Sequence, residues 1–182
     1  MPGSEVHIVN PDESGIGEII VKGPQVMLGY YGDEEATNNA IRDGYLYTGD
    51  LGKFDNKGFL RLSGRSKNVI IASNGKNIFP EEIEFLINEN PFVKESMVYG
   101  VKNSNSREHL TAEVVVIDTL KQKIAENPEY KEEIRKVLLD YLNEVNKKLS
   151  DYKRVHELKI RPSDFEKTST LKLKRFMIGK QN

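Results

Sequence analysis

Cysteine and tryptophan are both missing from the 182 residues. Without cysteine there is no disulfide framework, no thiolate zinc site and no cysteine nucleophile. Histidine is scarce. His7, His109 and His156 lie far apart along the chain, none with a second ligand at metal-binding spacing, so a metal-centred hydrolase is not expected. Charge of one sign is not in excess either, with 27 Lys+Arg against 28 Asp+Glu. That balance argues against a general nucleic-acid or anionic-membrane surface, which needs a basic excess. No uninterrupted apolar run reaches the roughly 18 residues that span a bilayer, so a cytoplasmic protein is expected, with peripheral membrane contact left open. What is present, 37% hydrophobic and 30% charged residues, is a globular composition. The length suits one domain, or one domain with part of another.

The first third alternates short strands and turns. Val6-His7-Ile8-Val9 follows Met1-Pro2-Gly3-Ser4 after Glu5 alone, with no signal peptide, and a chain starting mid-strand is expected to be part of something longer. Glycines bracket the strand Gly17–Gly23, and Glu34–Ile41 suits a short helix ending before the turn pair Asp43-Gly44. Asp55-Asn56-Lys57-Gly58 is a hairpin turn between a strand ending near Phe54 and Phe59–Leu62. The small and polar run Ser63–Asn68 reads as a linker between two rigid bodies.

Beyond it, Val69–Ala72 and Asn77–Phe79 flank the turn Ser73–Lys76. Pro80 opens a helix at its first position, where a missing N–H costs nothing; Glu81, Glu82 and Glu84 suit the positive end of its dipole, and Ile83, Leu86 and Ile87 make its buried stripe. Ser96–Val101 and Ala112–Ile117 are strand candidates, the second apolar enough to lie centrally in a sheet covered on both faces. Tyr130, Ile134, Val137, Leu138, Tyr141, Leu142, Val145 and Leu149 form the apolar stripe of a helix over 129–149, and Glu157–Arg161 is a last strand. From Lys153 onward nine Lys/Arg face three Asp/Glu, so the tail should attract an anion unless it is merely solvated.

Generic phosphate loops fail. Gly44 and Gly49 have the P-loop gap, but Asp50 follows where a lysine must reach the phosphates. Gly15-Ile16-Gly17 begins a dinucleotide fingerprint, but Ile20 replaces its third glycine. The residues alone define a soluble α/β protein with a hinge and a basic tail.

Four ordered segments carry more. Gly17-Glu18-Ile19 through Gly29-Tyr30-Tyr31 to Ala36-Thr37, then Tyr47-Thr48-Gly49-Asp50-Leu51, then Gly64-Arg65-Ser66-Lys67 through Gly75 to Pro80-Glu81-Glu82-Ile83-Glu84, and finally Lys167–Arg175 span nearly the whole chain. Together they resemble the acyl-adenylate-forming ligases: acyl-CoA synthetases, beetle luciferases and the adenylation domains of peptide synthetases. PEEIE and the closing KTxxxKxKRF look most like bacterial long-chain fatty acid–CoA ligases.

The resemblance implies an α+β fold. Residues 1–63 would be the β-rich end of a large AMP-binding domain, 64–68 a hinge, and 69–182 a mobile C-terminal domain with a three-stranded sheet, flanking helices and a β-hairpin. The family's phosphate loop, its adenine and Mg²⁺ segment and its acyl pocket have no counterpart here. The missing N-terminal domain of the same enzyme is therefore the implied partner, with ATP, Mg²⁺, CoA and a fatty acid as cofactor and substrates. By the same resemblance Asp50 accepts from the ribose hydroxyls, Tyr47 and Arg65 join it on the nucleotide, and Lys67 is the hinge. Gly75 lies beside the pantetheine arm, and Lys172 is the adenylation lysine bridging carboxylate and α-phosphate. Leu171 stands where the family usually has glycine, and the stretch from Arg65 to Gly75 is one residue longer than in several members. Two other readings stay open: a non-catalytic interaction module, and an adenylation domain loading an acyl carrier protein.

Overall fold

A computed structural model describes residues 3–102, 108–170 and 172–175. The chain divides into two compact units, Met1–Val69 and Ile70–Asn182.

The first unit is one antiparallel sheet. Its strands are β1 (Glu5–Val9), β2 (Gly17–Lys22), β3 (Ile41–Arg42), β4 (Tyr45–Phe54) and β5 (Leu60–Arg65), in the order β1-β2-β4-β3 with β5 also pairing β4. The helix α1 (Glu34–Ala40) starts at Asp33, whose carboxylate accepts from the Ala36 amide at 2.8 Å. The Asp55–Gly58 turn closes as expected, with the Asp55 carboxylate accepting from the Lys57 and Phe59 amides at 2.9 Å each.

Register places Ile8, Ile19, Val21, Phe54, Leu60 and Leu62 on one face of this sheet. Ile19 is buried, yet Phe54, Leu60 and Leu62 stand 45%, 37% and 71% exposed. Among the described residues no second layer packs on that edge. That face is therefore not a finished core.

The second unit has a complete core. β6 (Ile70–Ile71) and β7 (Asn77–Ile78) form the hairpin, and α2 (Pro80–Asn88) follows. A three-stranded sheet in the order β10-β9-β8 is built from β8 (Val93–Lys102), β9 (Glu108–Val116) and β10 (Val155–Ile160), with β8 antiparallel and β10 parallel to β9. α3 (Asp118–Glu126) and α4 (Tyr130–Lys148) join β9 to β10. β9 is central, and Ala112, Val114, Val115 and Val116 are fully buried, as the apolar run requires. Ile134, Leu138, Leu142 and Val145 deliver the α4 stripe into the core, while Val137 remains 44% exposed. The sequence stripe is therefore one residue too wide. α3 escaped the sequence reading because Leu120 and Ile124 are its main apolar anchors, too few to set a period.

Beyond β10 the chain is tied down by charge. Lys94 bridges Asp118 at 3.0 Å and Asp164 at 2.9 Å, and Lys121 also pairs with Asp164. Hydrogen bonds from Lys121 and Lys94 hold the Asp164 carboxyl down at about 2. A depressed carboxyl stabilises the fold above its unfolded pKa, and the contribution is lost as pH falls from about 4 toward 2. Asp164→Asn is expected to lower the urea midpoint at pH 7 and flatten its fall across that window. An unchanged pH profile would remove the pair from the acid limb.

Candidate functional site

In the first unit the candidate nucleotide residues sit on a bulge. Glu18 pairs with Leu51 and Ile20 with Tyr47, so β4 inserts extra residues at Thr48-Gly49-Asp50. The Thr48 hydroxyl donates to Ile19 O at 2.7 Å and accepts from the Asp50 amide at 3.0 Å. The Gly49 amide donates to the Glu18 carboxylate at 3.0 Å, and Gly49 has φ +70°, which favours glycine. This scaffolding lifts Asp50 off the regular pleat.

Asp50 then lies directly opposite Arg65 on β5, with Arg65 Nε 2.8 Å from Asp50 Oδ1 and both side chains well exposed. A carboxylate and a planar guanidinium thus stand side by side, one able to accept from hydroxyls and the other to meet a phosphate. The pairing depends on a second irregularity. From Phe54↔Leu60 and Gly52↔Leu62, a regular ladder would put Asp50 opposite Gly64, but a shift between Leu51 and Gly52 brings Arg65 there instead. Tyr47 lies half-buried on β4, with the Arg42 guanidinium 4.7 Å over its ring. Gly64 and Arg65 finish β5, and Lys67 sits exposed in a 3₁₀ turn, Ser66–Asn68, just before the division between the units.

In the second unit, Gly75 closes the β6–β7 turn. Its amide donates to Ala72 O at 2.8 Å, its φ is +78°, and a Cβ there would meet nothing within 4 Å. The turn conformation alone requires glycine. A pocket of about 170 Å³ adjoins this turn, lined by Ser73, His109, Tyr152, Arg154 and His156 among others. Sequence separation hid this grouping. His109 and His156 lie on the neighbouring strands β9 and β10, and their rings meet edge to face with centroids 6.4 Å apart. Among the described residues no group of three His, Asp or Glu could hold a metal ion.

The tail corrects its charge count. Lys153 pairs with Glu82, Arg154 with Asp151, Lys159 with Glu157, Arg161 with Glu113, Lys167 with Glu95, Lys174 with Glu166 and Arg175 with Glu84. Most of the basic excess is quenched by acids of the body, so the tail is not a diffuse anion trap. Lys172 differs: it is exposed and makes no ion pair with a described residue. It stands on a small hairpin in which Lys167 bridges Leu173, the Thr168 amide donates to Lys172 O at 2.8 Å, and the Lys172 amide donates to Thr168 Oγ1 at 3.2 Å. Leu171 lies outside the described residues.

The sequence reads Glu84 as a complement to the helix dipole, and the structure gives it a further part, with its side chain only 8% exposed. Its Oε1 accepts from the Val98 amide at 2.7 Å and from Arg175 Nη1 at 2.8 Å, while Arg175 Nη2 reaches Oε2. Burial pushes the Glu84 carboxyl up, and the Arg175 guanidinium opposes it.

The described residues thus combine a three-stranded mixed sheet, a leading hairpin and an exposed lysine that pairs with no described carboxylate. Residues 82–172 match the AMP-binding enzyme C-terminal domain, and the chain belongs to that adenylate-forming family. Among its relatives, the long-chain-fatty-acid--CoA ligase of Escherichia coli O6:H1 is 40% identical over 123 residues, covering 65% of this chain and 22% of the relative. That of Bacillus subtilis is 47% identical over 100 residues, covering 55% of this chain and 18% of the relative. The chain thus spans about a fifth of the length of these curated relatives. Among solved structures, the Bacillus subtilis o-succinylbenzoate coenzyme A synthetase in complex with AMP superposes with TM-score 0.74 at 29% identity, over 98% of this chain and 34% of that one. The amide bond synthetase McbA from Marinactinospora thermotolerans gives 0.73 at 28%, over 97% and 34%.

Proposed function

We propose that the chain is the C-terminal part of an ATP-dependent fatty acid–CoA ligase, which makes acyl-CoA, AMP and pyrophosphate through an acyl-AMP intermediate. The observation that carries this reading is the isolation of Lys172, the one described cation of the tail without an ion pair, on an exposed hairpin. In adenylation a carboxylate attacks the α-phosphorus and pyrophosphate leaves. Two anions must meet, and an ammonium between them lowers the barrier by electrostatics and positioning. A lysine already spent on a neighbouring carboxylate could not serve. In this reading Asp50 and Arg65 hold ribose and α-phosphate, Tyr47 flanks the nucleotide, and Lys67 lies where backbone angles change as the C-terminal unit moves between two poses.

For the second half-reaction, the turn at Gly75 and the adjoining pocket take the CoA side, with ring N–H groups of His109 and His156 available as donors to its phosphates. Mg²⁺, the phosphate loop and the acyl pocket belong to the polypeptide that would cover the exposed apolar face of the first sheet. The fatty-acid substrate class is supported by the names of the relatives. The family's other chemistries, among them the amide bond synthetase, set the breadth of alternatives.

The test is a fusion in which the Bacillus subtilis ligase supplies the polypeptide upstream of its match and this chain supplies the remainder. ATP-dependent acyl-CoA formation supports the reading. Failure of a folded, ATP-binding fusion to form acyl-AMP contradicts it. The 182-residue chain alone is expected to turn over no ATP. In the active fusion, Asp50→Ala removes two acceptor oxygens and is expected to weaken nucleotide binding about 10- to 100-fold in both half-reactions. An effect confined to one half-reaction would displace Asp50 from the ribose.

A further inference from the structure

The Lys172 hairpin is short, polar and exposed, and its backbone bonds alone would leave it to fray. Three attachments on three elements hold it. At its entry, Lys167 Nζ lies 2.8 Å from Glu95 Oε2 on β8, where the Glu95 side chain is 14% exposed. Next to Lys172, Leu173 packs on a small apolar cluster of Met97, Val115 and Phe165. At its exit, Arg175 forks onto Glu84 of α2, with Glu81 Oε1 at 3.7 Å from Arg175 Nη2.

The last attachment is the most specific. Glu84 receives the edge-strand amide of Val98 with the same oxygen that takes Arg175 Nη1, so one buried carboxylate ties helix, sheet edge and tail. A bidentate guanidinium–carboxylate pair fixes direction as well as distance, which a single ammonium contact does not. Lys174 adds a backbone bond, its amide donating to Glu166 O at 2.9 Å. These contacts tie the backbone on either side of Lys172 to the body of its unit.

We propose that Glu84 and Arg175 are positioning residues for adenylation: their fork, with the Glu95–Lys167 pair, aims Lys172. This deepens the reading of Lys172 as the adenylation lysine and rests on it. Neither residue touches the reacting atoms. A displacement of the lysine by about an ångström is enough to cost on the order of 100-fold in rate.

Two measurements separate the claims. In the 182-residue chain, hydrogen exchange at the Thr168 and Lys174 amides reads the hairpin directly. Arg175→Met and Glu84→Gln are each expected to speed exchange there about tenfold or more, with the β9 amides within about twofold of the parent, and Arg175→Lys to fall between. Unchanged hairpin exchange, or an equal loss across β9, overturns the attachment. In the ligase fusion, the same variants are expected to lower acyl-AMP formation about 10- to 100-fold through kcat, with the ATP KM and thioester formation from supplied acyl-AMP within about threefold. A merely structural role would lower both half-reactions together. A loosened hairpin with undiminished adenylation would refute positioning while leaving Lys172 its role. Normal adenylation by Lys172→Ala would instead refute the underlying functional reading, the exchange result standing by itself.

Discussion

Lys172→Ala in the ligase fusion is expected to lower acyl-AMP formation about 100- to 1000-fold, the scale of removing one preorganised charge from a developing anionic transition state. Thioester formation from supplied acyl-AMP should stay near its parent value. The expectation follows from how charge is spent in the tail. Every other described Lys or Arg from Lys153 onward already has a carboxylate partner, so none is positioned to substitute. ATP–pyrophosphate exchange measures the first half-reaction, and release of AMP on adding CoA to preformed acyl-AMP measures the second. Equal losses in both would sink the two-pose assignment, since a lysine withdrawn after adenylation cannot matter to the thiol step.

The second large effect is on stability. Leu138 is 2% exposed in the cluster that holds Ile83, Ile87, Val114 and Leu142. Leu138→Ala removes three heavy atoms from this layer between α4 and the sheet, and it is expected to destabilise the second unit by about 3 kcal/mol. Urea unfolding followed at amides of β9 and α4 reads this unit separately from the first. A loss below about 1 kcal/mol would mean that the layer collapses freely and the core is looser than its burial indicates.

Elements with strong local signals were legible in the sequence. The Asp55–Gly58 turn, Pro80 at a helix start and the apolar run of β9 each depend on neighbours in the chain, and each forms as those neighbours dictate. Glu84 shows where that logic stops. At a helix N-terminus an acidic residue is satisfied by the dipole, and nothing nearby in sequence marks this one as buried. Its partner Arg175 is 91 positions away, and only tertiary packing makes the pair. His109 and His156 were similarly scattered until the parallel pairing of β10 with β9 aligned them. Asp50 and Arg65 are a third kind of case. Both residues were singled out by their motifs, but their contact depends on a ladder irregularity that the side chains do not announce.

The half-covered face of the first sheet has a consequence for handling the polypeptide. Phe54, Leu60 and Leu62 present water with a greasy plane beside an exposed strand, the geometry that favours sticking to like surfaces. Self-association of the chain should therefore rise with concentration and diminish when an upstream body is fused to it. The second unit, whose main apolar cluster is enclosed although Ile71, Phe85 and Val137 remain exposed, should depend less on such cover. One polypeptide thus joins a lobe with an enclosed core of its own to one whose apolar face stays half open.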